Sequence, residues 1–515
     1  MPLSLACLAA VANSKKVALD VFDANLELWH HLCDSDLRLG AMRAFSHSQL
    51  DVFLNPKVYS ARWTAAMPDA RRRIDLLEQQ ARHYLAGHGL ADDLRGLLSR
   101  QSARIGRATP EMTALSVMYL DQLPFALALA KYLGDLRAGG RIVLGGAAMS
   151  ALSPEELLAA APFIDAVLTG EGEIPFAALL DGLPPDQIPG SYCRRRGAIE
   201  FSGRGRVLDH LGLLAMPDFT ALATDGYFNP VPVMPIYGSR GCKWRRCRFC
   251  AHNNSFGQHR ERPARTVALE MQERRRQYGC RHFYMVDQYV DPVSLAELSD
   301  AILELGLDCR FQVMARTVGA YTPALLNKAA KAGCCWISWG MESGSRKLLD
   351  VMNKGTAPGP SLEVIRTAAA EGISNLLMMI FGAPGTDATC LDETGAFLEQ
   401  AWPYIDSMTA SAFVLFEQTE FGRHPGRYGL EIIGRHPMLE LDGKVIHDQK
   451  LRFRRKGETD AGESPLALAE IDAWERRRAW LPPLPFHSQL CCEHYLLFAD
   501  AAQANLRPGN NPRCA

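Results

Sequence analysis

Three cysteines within nine residues set the chemistry open to this chain. They lie in SRGCKWRRCRFCAHN (239–253) and give the pattern C-x4-C-x2-C at Cys242, Cys247 and Cys250. Thiolates are soft ligands, so three on one loop suit zinc or an iron–sulfur cluster. Structural zinc closes with four ligands. His252 is the nearest fourth, and its position two residues after Cys250 strains a tetrahedral cage. Three cysteines can instead hold three irons of a 4Fe–4S cluster and leave the fourth iron open. The spacing favours the cluster and keeps zinc as the alternative. Arg240, Arg245 and Arg246 either balance carboxylates of a substrate or cofactor or form a basic surface loop.

The other cysteines are scattered. Fourteen in 515 residues are too dilute for a disulfide scaffold. Cys334 and Cys335 read as buried thiols of a strand. Cys491 and Cys492 read as part of a packed C-terminal element, with a reach into the active site as the alternative. RRRQYGCRH (274–282) reads as a solvated helix face.

Composition excludes several classes. Lys plus Arg number 56 and Asp plus Glu 57, a net charge of −1. Such a chain carries no global field for nucleic acid or an anionic membrane. No apolar run reaches the ~18 residues of a membrane span. The start, MPLSLACLAAVANSKK, has its charges after the apolar stretch, which predicts a first helix and not a signal peptide. A cytoplasmic protein is expected.

The elements that must position the cysteines follow a βα rhythm. Candidate strands in the middle part are VMPIYGS (233–239), HFYMVD (282–287), CRFQVMA (309–315), CCWISWGM (334–341), SNLLMMIFG (374–382) and SMTASAFVLF (407–416). The helical stretches TVALEMQERRRQYG, PVSLAELSDAILELG and TPALLNKAAKAG each run into glycine, a stop signal. Six βα units predict a partial (β/α)6 TIM-type barrel over 230–418, with ligands at the carboxyl ends of its strands. The N-terminal part, 1–205, predicts an α/β domain with a doubly wound, Rossmann-like parallel sheet. Its candidate strands are VALDVFD (17–23), TALSVMYL (113–120), RIVLGG (141–146) and DAVLTGEGE (165–173), with a helical insertion over about 36–105 and an apparently missing first strand. Residues 419–515 form a mixed extension with weak periodicity and a tail, RPGNNPRCA, expected to be disordered.

With these segments in view, the chain resembles the radical S-adenosylmethionine (radical SAM) superfamily over most of 110–420. The usual family motif is C-x3-C-x2-C, so this chain has one extra residue in the first gap. Phe249 matches the aromatic that packs near the adenine. FYMVDQYVD (283–291) resembles the second-strand end, with Asp287 facing the site, and FQVMAR (311–316) the third strand, with Arg316 pointing toward it. WGMESGSRKLLDVMNKGT (339–356) resembles the fourth-strand segment, carrying Glu342 and Ser343. IFGAPGTDATCLDET (380–394) resembles the fifth, carrying Gly382 and Gly385. The resemblance implies a cytoplasmic enzyme that cleaves S-adenosylmethionine reductively at a 4Fe–4S cluster held by Cys242, Cys247 and Cys250. It also implies an electron donor such as flavodoxin or ferredoxin, and a small-molecule or peptide substrate. No catalytic residue is assigned.

Residues 114–180 resemble the cobalamin-binding domain found ahead of many such barrels. Gly145 and Gly146 match its "GG" turn, and 170–173 its "GEGE" turn. The plain alternative for each glycine is a tight strand-to-helix turn. The motif D-x-H-x-x-G is absent, and VFDANLELWHHL (21–32) resembles the second strand instead. Any cobalamin would therefore lack a histidine lower ligand. The domain either binds cobalamin, which implies methyl transfer to an unactivated carbon, or serves as a scaffold for radical chemistry without methylation, such as peptide maturation. A zinc-stabilised binding protein is the reading from another class.

Overall fold

All six apolar runs of the middle part form strands; five are largely buried on both faces as in a covered parallel sheet, and the edge strand Ser407–Ala412 is half-buried. The computed structural model describes residues 1–35, 39–46, 48–222, 224–254, 256–456, 465–476 and 489–505. Its first sheet has five strands in sequential order: β1 (Met112–Ser116), β2 (Arg141–Gly145), β3 (Ala166–Leu168), β4 (Ser191–Arg195) and β5 (Ala198–Phe201). The first three are parallel, and β4–β5 is an antiparallel hairpin at the edge. Helices Leu123–Asp135 and Pro154–Ala160 make the crossovers.

The second sheet is the partial barrel. Its six strands are β6 (Val233–Ile236), β9 (His282–Met285), β10 (Arg310–Ala315), β11 (Cys334–Glu342), β12 (Ser374–Phe381) and β13 (Ser407–Ala412). All neighbours pair in parallel. A two-stranded ladder, β7 (Ser239–Arg240) with β8 (Arg260–Glu261), lies between β6 and β9. The predicted helices appear as Ala264–Tyr278, Pro292–Glu304 and Pro323–Lys331, each ending one to two residues before its glycine. Phe283, Phe311, Ile337 and Leu377 face these and later helices in one apolar layer. Each such burial contributes about 2 kcal/mol.

Strand register fixes what faces the lumen. Tyr284, Gln312 and Trp336 share one row, and Met314 and Ser338 the next. Helix Gln489–Asn505 closes the amino ends of the strands. Tyr495 packs on Trp336 with centroids 4.4 Å apart, and Asp500 binds His282 at 2.9 Å and Arg310 at 2.7 Å. Cys492 is buried there beside Tyr284, which bears out the packed reading; the side chain of Cys491 lies outside the described residues, as does the tail from 506 onward.

One expectation is corrected and two are filled in. VALDVFD forms no strand. The chain there runs extended into the helix Ala24–Ser35, where the "second strand" of 21–32 was expected. Asp23 caps that helix by accepting from Asn25 N at 3.0 Å and Leu26 N at 3.3 Å, and Leu28, His31 and Leu32 bury one face at helical spacing. The "insertion" is chiefly two long helices, Pro56–Leu85 and Asp92–Ala108. The mixed extension contains β14 (Leu430–Leu441) and β15 (Lys444–Arg455), a long hairpin on the first domain tied by Arg435 to Glu156 at 2.8 Å.

Candidate metal and cofactor site

The cysteine loop is the excursion between β7 and β8, so the ladder closes its base. Asp287 holds that base from the barrel side: its buried carboxylate accepts from Gly238 N at 2.9 Å and Ser239 Oγ at 2.6 Å. Burial raises this carboxyl and the hydrogen bonds oppose the rise. Asp287 is therefore engaged in anchoring the loop, with its oxygens turned to that backbone.

The far side of the loop docks on the turn after Arg346–Val351, the short helix that follows β11. Arg248 N donates to Met352 O at 2.9 Å, and Trp244 Nε1 donates to Asn353 O at 3.0 Å. The Trp244 ring, carried by the four-residue gap, lies 3.9 Å from the Arg316 guanidinium. The same ring occupies the space that a Cβ at Gly355 would take, so glycine there, at φ +69°, is required by close approach.

Cys242, Cys247 and Cys250 form no disulfide among the described residues and are partly exposed at the carboxyl ends of the strands. Burial pushes the Cys247 thiol up to about 11, and the nearby Lys354 and Arg316 charges oppose that rise. Lys354 is buried and donates to Glu342 Oε1 at 2.6 Å. Burial pulls its ammonium down, but Glu342 and Cys247 outweigh that and hold it above its ordinary range. Gly340 leaves room for this pair: a Cβ there would lie 2.7 Å from Lys354 Nζ and 3.0 Å from Glu342 Oε1. Phe249 sits under Lys354, 5.9 Å from its ammonium.

Cys247, Phe249, Arg316, Glu342 and Lys354 thus come together. The others serve the scaffold nearby. Ser343 bonds Thr394 at 3.0 Å. Gly382 accepts from Arg455. A Cβ at Gly385 would meet only Val351 methyls, at 3.8 and 4.0 Å. In the first domain, Gly146 has φ +97° and a Cβ there would overlap the Val117 backbone, while a Cβ at Gly145 meets Leu168 only at 4.0 Å. The "GG" turn is needed by the chain itself. Lys354 and Trp244 are the residues that sequence reasoning passed over, although both stand inside quoted motifs.

The donor set fits a cluster. Three cysteines on one loop offer one thiolate to each of three irons. Arg316 Nε and Thr356 Oγ1 are buried without a partner beside the loop, as donors for a bound anionic group would be. Tyr119, after β1, is 54% exposed, yet burial and the Cys492 charge push its phenol up. His252 is likewise exposed while burial lowers its imidazole.

Residues 236–398 match the family model of the Radical SAM superfamily, and residues 64–180 match that of the B12 binding domain. The chain carries a radical SAM domain and a B12-binding domain. An uncharacterized methyltransferase of Pyrococcus horikoshii is 26% identical to it over 304 residues, 58% of this chain and 65% of the relative. The chain spans less than two thirds of the length of the curated relatives it matches. Two solved structures share its fold. Cobalamin-dependent S-adenosylmethionine radical enzyme OxsB with aqua-cobalamin bound aligns at a TM-score of 0.57 and 16% identity, over 72% of this chain and 61% of that one. Radical S-adenosylmethionine methyltransferase TsrM from Kitasatospora setae, with cobalamin and a [4Fe-4S] cluster bound, aligns at 0.55 and 16%, over 80% and 92%. Among the described residues no helix is long and apolar enough to cross a membrane.

Proposed function

We propose that the protein is a cobalamin-dependent radical SAM methyltransferase acting on an unactivated carbon of a small molecule. The observation that carries this is the cysteine loop, closed by β7–β8 at the strand ends and docked by Trp244 and Arg248 over the Glu342–Lys354 pair. When bound, a 4Fe–4S cluster on Cys242, Cys247 and Cys250 supplies the electron that cleaves S-adenosylmethionine, and cobalamin supplies the methyl carrier.

The chain's own residues do the rest. Lys354 and Arg316 place positive charge beside Cys247, which favours its thiolate. Arg316 Nε and Thr356 Oγ1 offer hydrogen bonds to an anionic ligand. The closed floor, with Tyr495 on Trp336, keeps water from entering the lumen from below, which a reactive radical demands. The proposal places the domains at about 1–205, 230–418 and 419–515, in the cytoplasm, with a donor such as flavodoxin or ferredoxin and no nucleic-acid partner. Phe249, Glu342, Ser343, Gly382 and Gly385 are proposed to surround S-adenosylmethionine, and the carboxyl ends of β1–β3 to carry the corrinoid.

Anaerobic reconstitution with iron, sulfide and hydroxocobalamin tests it. Expected are four irons, retention of the corrinoid through gel filtration, and transfer of label from methyl-labelled S-adenosylmethionine. Formation of 5′-deoxyadenosine with no corrinoid retained would overturn methylation and leave the domain a scaffold. One zinc and no colour would overturn the enzyme.

A further inference from the structure

The acidic turn after β3 is the motif that the site so far leaves idle. Glu171 and Glu173 reach across from the first domain to the base of the cysteine loop. Arg240 Nη1 donates to Glu171 at 3.0 Å and to Glu173 at 3.2 Å, and its Nη2 donates to Glu173. Arg260 Nη1 donates to Glu171 at 3.1 Å, and its Nη2 to the other oxygen of the same carboxylate. The four side chains are only 5–12% exposed.

Arg240 and Arg260 face each other in the β7–β8 register. They are the residues between which the whole cysteine loop is strung. Arg260 also donates to Leu208 O at 2.7 Å and Phe256 O at 3.1 Å, so its fork is committed and cannot swing away without orphaning donors. Two guanidinium and two carboxylate groups balance in a nearly dry space, where charge-assisted bonds are strong and geometry is exacting.

We propose that Glu171 and Glu173 are positioning residues for the cysteine loop, holding its base so that occupancy of the B12-binding domain is felt at the cluster. This rests on the cluster and cobalamin of the proposed function. Simple adhesion between domains would not need its buried charges on the two residues that frame the loop. The exposed pair Lys15–Asp181, at 2.6 Å, provides a contrast on the same domain.

The test uses the full chain with its cluster reconstituted. The electron paramagnetic resonance (EPR) signal of the reduced cluster is recorded with and without hydroxocobalamin. In the wild type the signal is expected to shift when the corrinoid binds. Glu171→Gln and Glu173→Gln should retain iron and corrinoid but show an altered line shape and lose that shift. Lys15→Ala should behave as wild type. Should a glutamine variant misfold, Arg240→Lys carries the test, because it keeps the charge and loses the fork. Wild-type line shape and wild-type response in the folded Glu and Arg240 variants would overturn the proposal, as would a wild-type cluster blind to cobalamin. A wild type that assembles no cluster would overturn the proposed function and this inference together.

Discussion

Gly146 and Gly355 are both glycines whose Cβ space is already filled, and what fills it differs. At Gly146 the intruder is the backbone of Val117, the continuation of β1. At Gly355 it is the indole of Trp244, a side chain of the cysteine loop. The first glycine lets the sheet turn. The second lets the cluster-bearing loop seat on the barrel. The same residue type in two quoted motifs therefore serves the fold in one domain and the site in the other. A motif glycine says that something comes close, and only the structure says what.

The comparison can be broken by mutation, and the largest effect belongs to the loop. Changing Cys242, Cys247 or Cys250 to Ala is expected to remove most iron and all cleavage of S-adenosylmethionine, while the B12-binding domain keeps its fold. Iron analysis and 5′-deoxyadenosine formation check this. A single variant with full iron and full cleavage would sink the assignment.

Next comes Gly146→Val. It adds strain at positive φ and a clash with backbone, together about 4 kcal/mol. Thermal unfolding should show the loss, with corrinoid retention failing through misfolding and not through a blocked pocket. Gly145→Ala has room and should leave the midpoint within error. Equal effects at the two positions would refute the distinction.

Lys354→Met is expected to cost about 3 kcal/mol, because it strands the buried Glu342 carboxylate. The folded-state pKa of Lys354 is raised, so the pair's contribution is full below the unfolded value of about 10.4 and is lost only as pH climbs past the folded one. The penalty should then be the same at pH 6 and pH 8 in denaturant melts at about those values. The variant also removes a charge that opposes the rise of Cys247. Its thiol should climb further, and cluster assembly should require higher pH than in the wild type. An unchanged pH profile of assembly would remove Lys354 from the site.

The smallest expected effect is the sharpest. Gly355→Ala should cost about 2 kcal/mol, from backbone strain plus a displaced Trp244. In a Trp244→Ala background the clash with the indole disappears and the strain and the 2.9 Å approach of Arg316 Nη2 remain, so a double-mutant cycle should return a coupling near half of that cost. No coupling would mean that the loop does not seat there.

The barrel was legible because its strands, the edge strand β13 apart, are largely buried on both faces and read as apolar runs, punctuated by Gly279, Gly306 and Gly333. The cysteines were legible from spacing alone. The long hairpin β14–β15 was missed although its turn, Asp442–Gly443, is a standard two-residue signal, because its strands alternate irregularly through register shifts. VALDVFD reads as a strand because Val17 and Val21 are β-branched, but among the described residues no strand pairs with it. The roles of Lys354 and Trp244 were not legible. A buried ion pair and a ring seated on a glycine are long-range facts, and spacing within one segment carries no trace of the partner. The acidic turn was legible as a motif, but its partners Arg240 and Arg260 lie about the cysteine loop, across a domain boundary.

The central claim is that Cys242, Cys247 and Cys250 hold a 4Fe–4S cluster whose open iron takes S-adenosylmethionine. EPR of the anaerobically reconstituted, dithionite-reduced protein tests it most directly. The account predicts a cluster signal whose g-values change when S-adenosylmethionine is added, and whose change is lost in each cysteine variant. A signal indifferent to S-adenosylmethionine, or one equivalent of zinc and no signal, would contradict it.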